Sequence, residues 1–448
     1  MQFTNPGAPA GFVIFRNKKM VIQKGGTTMD AEQSKRIFCK PVPKGIVELQ
    51  GINASGGIVE LKDGSVMFAE GGGIPESKNP PWHRISKDGG KTWGHSQPLN
   101  SPISVGGMIR LQSGALAIYG RKGSQGEASP ATCFSKSLDD GKTWSAPACI
   151  ADNFQPMFHS MIQLESGRLL IVGYWEGFDG WEFSGGTMVS VHPDLQYEAV
   201  SAYGLWRGRK VQIEGHGHGP EMGMCMVYRS DDEGQTWRKH PGALMGWFDF
   251  EGVVNGNCGQ TACFEPTIAE TKDGNVLLIA RSTVGRLVQS VSTDGGERWY
   301  SVKPTDLASS ESPGIMVSLP KTGDLLIVWN QVSREEIRRG YRRGRLSSAI
   351  SRDGGHSWEH FKTLELSEGL EDIGRIPPEY PIQKVCARDW VGPLPDAWAF
   401  FHYANLDVVG DKVFLRYSRG TPVLGIAEQA LNKQETVLRV YPLAWFYG

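Results

Sequence analysis

Three short stretches hold the side chains best suited to chemistry. The first runs Phe264-Glu265-Pro266-Thr267 and, after a turn, Leu278-Ile279-Ala280-Arg281-Ser282. A carboxylate opens one apolar stretch and a guanidinium ends the next, so in a hairpin both reach the same end. They read as a structural ion pair or as a site that grips a substrate. The second is Gly344-Arg345-Leu346-Ser347-Ser348-Ala349-Ile350, inside a basic run of Arg334, Arg338, Arg339, Arg342 and Arg343. Arg338, Arg339, Arg342 and Arg343 read as a solvated face, and Arg345, just before the apolar stretch, is left open. The third is Phe400-Phe401-His402-Tyr403-Ala404-Asn405-Leu406, where Tyr403 is either a core aromatic or a reactive phenol. His159, His402 and Tyr403 together suit β-elimination: a base takes the proton beside a uronate carboxylate while an Arg neutralises that carboxylate. Gly215-His216-Gly217-His218 presents two imidazoles at i, i+2, which with Glu221 or His159 would suit a metal. The plainer reading as loop residues is preferred, and neither metal nor cofactor is expected.

The elements that must position these groups are repeats. An eight-residue pattern occurs five times, first as Ser86-Lys87-Asp88-Gly89-Gly90-Lys91-Thr92-Trp93. It returns at residues 137–144, 230–237, 292–299 and 351–358, ending on Trp144, Trp237, Trp299 and Trp358. The Asp bonds its own backbone to start a turn, the Gly supplies positive φ, and the Trp anchors the turn in an apolar layer. A second repeat is an apolar hairpin around a Gly turn. Its copies centre on Gly64, Gly114, Gly167, Gly274, Gly323 and Gly410, and the first five are followed by the eight-residue pattern. Alternation and β-branched content mark them as strand pairs. Each unit then makes one four-stranded sheet, with the eight-residue turn between its outer strands.

Six such units give an all-β ring of six sheets closed on itself, which leaves no exposed edge. Closure is expected between a strand near residues 11–21 and C-terminal strands near 437–446. An insertion at about 178–220 reads as a loop over the central cleft or as a degenerate seventh blade. A Pro-rich connection at about 359–401 reads as a loop across one face. Because such sheets cannot bury their faces alone, residues 1–448 are expected to form a single domain.

Bulk composition narrows the classes. The chain has 448 residues, 40% hydrophobic and 21% charged, with a formal charge of −1, so nothing favours nucleic acid or an anionic membrane. No apolar run reaches the length of a membrane helix. The N-terminus lacks a basic segment followed by an apolar one, so a cytoplasmic location is expected; a trimmed chain would look the same. The 7 cysteines are odd in number and form no C-x-x-C, so reduced, mostly buried thiols are expected.

The eight-residue pattern resembles the Asp-box of the sialidase superfamily, whose fold is a six-bladed β-propeller. The stretch from Glu265 to the "ARS" at Arg281, with the box that follows, is similar to the sialidase blade whose Glu assists a nucleophilic Tyr and whose Arg holds the substrate carboxylate. By the same resemblance Arg345 matches a second carboxylate-binding Arg and Tyr403 the nucleophile. A sialic acid carries a carboxylate on its anomeric carbon, which repels an acidic nucleophile and favours a neutral Tyr. The resemblance implies an exo-glycosidase removing a terminal acidic sugar, so the expected partner is a carbohydrate with a carboxylate. Two departures stand out. The family's first Arg has no counterpart in Gly51-Ile52-Asn53-Ala54-Ser55-Gly56-Gly57, and its acid Asp has none at residues 70–84, where Glu70, Glu76 or His83 are the available substitutes. A uronate-directed lyase and a non-catalytic glycan-binding propeller are the alternatives.

Overall fold

The computed structural model describes residues 41–52, 55–71, 80–122, 131–151, 157–176, 182–190, 198–206, 209–214, 223–248, 259–261, 263–380, 382, 398–420 and 435–448. Six four-stranded antiparallel sheets are strung along the chain as blades. Their innermost strands are Gly56–Glu60, Gly107–Arg110, Met157–Gln163, Phe264–Glu270, Ile315–Ser318 and Phe400–Val409. Each lies beside the innermost strand of the next blade, and the last lies beside the first, which closes a β-propeller around a central channel. The channel is a cavity of about 760 Å³ lined by these strands and the turns at their far ends.

Blades 1, 2, 4 and 5 are local meanders, and blade 3 is a meander interrupted between its second and third strands. Blade 6 takes its outermost strand, Val47–Gln50, from the start of the described chain; it pairs with Glu435–Pro442. The expected closing strand at 11–21 lies outside the described residues; the described ring closes at 47–50, and its partners 437–440 fall where the sequence places them.

Each of the five eight-residue turns joins the third and outermost strands of its blade and repeats one hydrogen-bond set. In the first, Ser86 Oγ donates to Asp88 Oδ1 at 2.8 Å, and the Thr92 N–H and hydroxyl donate to the two Asp88 oxygens at 2.9 and 2.6 Å. Asp139, Asp232 and Asp353 do the same, and Arg298 replaces the hydroxyl at Asp294. The turn needs two consecutive residues at positive φ, such as Gly89 at 70° and Gly90 at 90°. The second of these is Gly for a further reason: a Cβ on Gly90 would lie 2.4 Å from the Phe414 ring of the neighbouring blade.

The box Trp residues plug the seams between blades. Trp93 sits edge-on to Phe68 of blade 1 and Phe414 of blade 6, and Trp237 packs on Phe134. Trp144, Trp299 and Trp358 occupy the corresponding seams. Blade 6 has no box, and its seam with blade 5 is filled by Phe446, buried in the C-terminal turn Leu443–Phe446, with Trp445 beside it. A fully buried Leu, Ile or Val is worth roughly 1.5–3 kcal/mol, against about 0.5–1.5 kcal/mol for a hydrogen bond. The seams therefore hold the ring together and the boxes set where each seam ends.

The insertion is not a seventh blade. Strands Glu182–Ser190, Glu198–Trp206 and Arg209–Glu214 join Gly259–Thr261 and Gly246–Phe248 in a separate five-stranded sheet. Blade 3 still pairs Leu169–Glu176 with Gly223–Ser230 across the insertion, and its innermost strand touches blade 4 directly. The long connection also starts later than the sequence suggests. Residues Glu359–Leu366 form the outermost strand of blade 5, because the fifth box turns the chain back against Arg345–Ser351. Among the described residues no helix is long and apolar enough to cross a membrane.

Candidate active site

The innermost strands all run the same way along the axis, so residues that open them share one end of the channel. Three of these openings are β-bulges. In blade 4, Phe264 faces Arg281 and the next pair is Thr267 with Ile279, leaving Glu265 and Pro266 bulged. Pro266 has no N–H to give the ladder, which accounts for the break. In blade 6, His402 faces Ser418 and Asn405 faces Arg416, so Tyr403 and Ala404 are bulged. In blade 3 the irregularity falls between Phe158 and Ser160, at His159. Glu265 and Tyr403 also carry φ values of 44° and 48°. Left-handed backbone costs a non-glycine residue about 1–3 kcal/mol and re-aims its side chain off the regular strand alternation.

Glu265 is 4% exposed and receives Arg281 Nη1 at 2.8 Å; Arg281, 1% exposed, reaches Glu311 on its other side at 3.4 Å. Burial alone would raise the Glu265 carboxyl, but Arg281, His159 and Arg343 outweigh it and hold it at about 2. Burial works against the Arg281 charge, yet Glu265, Glu311 and Tyr403 push its pKa up. His159 is half-buried beside Tyr174, with ring centroids 5.3 Å apart, and lines the channel cavity. Burial lowers its pKa; Glu265 opposes this and Arg281 adds to it. Tyr403 is 39% exposed, with the Arg343 guanidinium 5.2 Å from its ring centroid. The Tyr403 ring lies nearly parallel to that of His402, at 21°.

His402 is 3% exposed, and its Nδ1 contacts Arg343 Nη1. A guanidinium only donates, so Nδ1 is the acceptor and the neutral ring carries its proton on Nε2. Burial lowers the His402 pKa far below the usual value, and Arg343, Arg342 and Arg281 lower it further. His402 is thus a neutral brace for Arg343 rather than a proton carrier open to a ligand.

Four of the residues singled out from sequence therefore gather at one end of the channel: Glu265, Arg281, His159 and Tyr403, with His402 behind them. Arg345 does not join them. It is fully buried on the third strand of blade 5 and donates to both oxygens of Glu336, at 2.9 and 2.7 Å, and to the Gln331 and Glu371 carbonyls. Glu336 also completes the capping box with Ser333 at the short helix Arg334–Arg338. Arg345 thus fastens that helix to the blade. The arginine that reaches the site is Arg343, two residues earlier, which is buried and not part of a solvated face. Arg338 and Arg339 are exposed as expected. Glu311 is an addition that the pattern of strands and boxes does not flag, because it lies in the connection between blades 4 and 5.

The suggested acids fare differently. Glu70 ends the second strand of blade 1 and pairs with Arg84 Nε at 2.5 Å. His83 lies on the third strand, beside Gln97 and away from the axis. Glu76, His216, His218 and Glu221 lie outside the described residues. The missing first Arg has no substitute on the innermost strand of blade 1. Arg416 of blade 6 reaches that corner instead, donating to Gly56 O at 3.1 Å and to Asp407 at 2.7 Å. Among the described residues no cluster of His, Cys, Asp and Glu suits a metal.

A family profile described as a BNR repeat-like domain matches residues 213–405. No curated protein matches the sequence. Among solved structures, a protein of unknown function from Dyadobacter fermentans is 13% identical with a TM-score of 0.49, over 89% of this chain and 99% of its own. A Hadza microbial sialidase is 15% identical with a TM-score of 0.48, over 88% of this chain and 66% of its own. The sialidase of Trypanosoma rangeli, solved with sialic acid, is 14% identical with a TM-score of 0.41, over 90% of this chain and 55% of its own. The chain spans only part of the length of either sialidase.

Proposed function

We propose that this chain, a BNR-repeat β-propeller of the sialidase type, is an exo-acting glycosidase that removes a terminal acidic sugar. The observation that carries the reading is the pair of left-handed bulges that turn Glu265 and Tyr403 toward the same end of the channel, beside two buried guanidiniums. Strain of this kind persists where the surrounding structure over-determines it, and such positions cluster at reactive sites. Arg281 and Arg343 would hold the sugar carboxylate, Tyr403 would attack the anomeric carbon, and Glu265 would take the phenol proton.

The ion pair gives this sequence of events an order. A carboxyl held at about 2 by Arg281 is a weak base. A substrate carboxylate that competes for Arg281 loosens the pair, so Glu265 becomes more basic when the right ligand is bound. The acidic group of the sugar thereby switches on the base that starts its own cleavage. The leaving-group acid is not assigned: Glu70, the described candidate, is held by Arg84.

A second reading rests on His159. Its ring lines the cavity and burial favours the neutral form, as a base for β-elimination requires. One screen separates the two. Terminal sialosides and uronides are incubated with the wild-type chain and with Tyr403→Phe, with free sugar and absorbance of a conjugated double bond both recorded. Release of free sugar without new absorbance, lost in Tyr403→Phe, supports the glycosidase. New absorbance supports elimination. Ligand retained unchanged by both proteins indicates a binding propeller.

A further inference from the structure

The described cysteines fit the expectation of mostly buried thiols, with one exposed member. Of the cysteines described, Cys133, Cys225 and Cys263 are buried and Cys149 is exposed. They form two close pairs. Cys133 Sγ and Cys149 Sγ lie 3.0 Å apart, on residues directly opposite each other in the third and outermost strands of blade 2. Cys225 Sγ and Cys263 Sγ lie 3.3 Å apart, where the third strand of blade 3 meets the chain entering blade 4. Directly opposed residues in antiparallel strands have Cα atoms about 4.5–5.5 Å apart. That lies within the span a disulfide bridges, roughly 4.4–6.8 Å. The two pairs differ in access: Cys225 and Cys263 are both 0% exposed, whereas Cys149 faces solvent on an edge strand.

We propose that Cys133 and Cys149 form a peroxide-responsive dithiol–disulfide couple, in which exposed Cys149 meets the oxidant and buried Cys133 resolves it. The Cys149 thiolate attacks one oxygen of hydrogen peroxide, the O–O bond breaks, and hydroxide leaves, giving a sulfenic acid. The Cys133 sulfur then attacks the Cys149 sulfur. The S–O bond breaks, and the leaving hydroxide takes the Cys133 proton to form water. In total two thiols and one peroxide give one disulfide and two waters, with two electrons passing from sulfur to oxygen. The bridge closes a loop that contains the whole second box turn, so it clamps the outer edge of blade 2. A dithiol reductant reopens it by exchange. Cys225 and Cys263 are the internal control. Burial pushes the Cys225 thiol far above its usual pKa, and neither sulfur is open to peroxide in the folded ring.

The test treats the folded full chain with hydrogen peroxide, blocks remaining thiols with an alkylating agent after unfolding, and maps peptides without reduction. The expected result is a peptide linked through Cys133 and Cys149, with alkylation lost at both, and Cys225 and Cys263 alkylated in full. Melting temperature rises on oxidation and returns with a dithiol reductant. In Cys133→Ser, Cys149 stops at the sulfenic acid and is labelled by dimedone several-fold more than in the wild type. The wild-type map needs no variant, so a folding defect in Cys133→Ser leaves it standing. A Cys149 that bridges to any other cysteine, runs directly to sulfinic acid, or stays reduced while Cys225 and Cys263 bridge would overturn the proposal.

Discussion

Two clusters in this ring are built from the same side chains and are put to different uses. At the closure of the ring, Glu48 of the first described strand pairs with Arg439 at 2.8 Å and Arg419 at 3.0 Å. Arg439 in turn meets Glu365 of blade 5 at 2.7 Å, and the Tyr417 hydroxyl donates to the same carboxylate. At the channel end, Glu265, Arg281, Arg343 and Tyr403 repeat the composition. Glu48, Arg419 and Arg439 stand where Val47–Gln50, Glu435–Pro442 and Lys412–Gly420 pair in unbroken register. Glu365 and Tyr417 there are 0% exposed. Burial outweighs the arginines and raises the Glu365 carboxyl, whereas at the channel end the balance runs the other way. A cluster of Arg, Glu and Tyr therefore does not mark a reactive site by itself. Bulged, left-handed backbone and an exposed phenol distinguish the second cluster from a structural one.

Cutting the closure network should give the largest effect on folding. Arg439→Met leaves Glu48 and Glu365 short of their main counter-charge, and breaking a buried pair costs about 3–5 kcal/mol. Chemical denaturation measures this loss. The contrasting change is Tyr403→Phe, which should lower glycosidase turnover by about 10²–10⁴-fold while leaving the denaturation midpoint unchanged. If Tyr403→Phe unfolds the chain instead, the two clusters are not different in kind. Tyr403→Gly sharpens the contrast: relief of the left-handed strain should raise stability by about 1 kcal/mol as activity disappears.

Protonation provides a smaller handle. The folded-state pKa of His402 lies below its unfolded value, so the unfolded chain binds the extra proton first. Stability is then complete above the ordinary histidine range and falls as pH drops through it, by up to about 1.4 kcal/mol per pH unit. His402→Gln should flatten that slope in denaturation curves between pH 7 and about 5, leaving the shares due to His159 and His83, whose burial lowers their values in the same direction. The box carboxylates act lower still. The Thr143 hydroxyl, with the Thr143 N–H and the Ser137 hydroxyl, holds Asp139 at about 2; burial works against Asp232, but its Thr236 and Ser230 bonds bring it to the same level. Folded values below unfolded ones mean stability that is present above the ordinary Asp range and lost as pH falls toward 2. Acid melts of Asp139→Asn should show a shallower decline than the wild type.

The boxes were legible along the chain because their hydrogen bonds close within eight residues: Ser, Asp, Gly and Thr satisfy one another locally, whatever surrounds them. The hairpins were legible because strand alternation is a local property, and six of them imply a ring that must close. Glu265, Arg281 and Tyr403 could be nominated because each stands at the start or end of such a strand. What lay beyond the sequence was partner choice. Arg343 and Arg345 are two residues apart in one basic run, yet Glu336 neutralises Arg345 inside the blade while Arg343 reaches Tyr403 from the neighbouring blade. Likewise, 47–50 closes the ring because Glu48 finds Arg439 and Arg419, residues almost the length of the chain away. Charge pairing between blades acts through space, across separations in sequence that no local pattern spans. The turns, strands and repeat were therefore settled along the chain, and the closure of the ring decided which charges serve the site and which only hold it together.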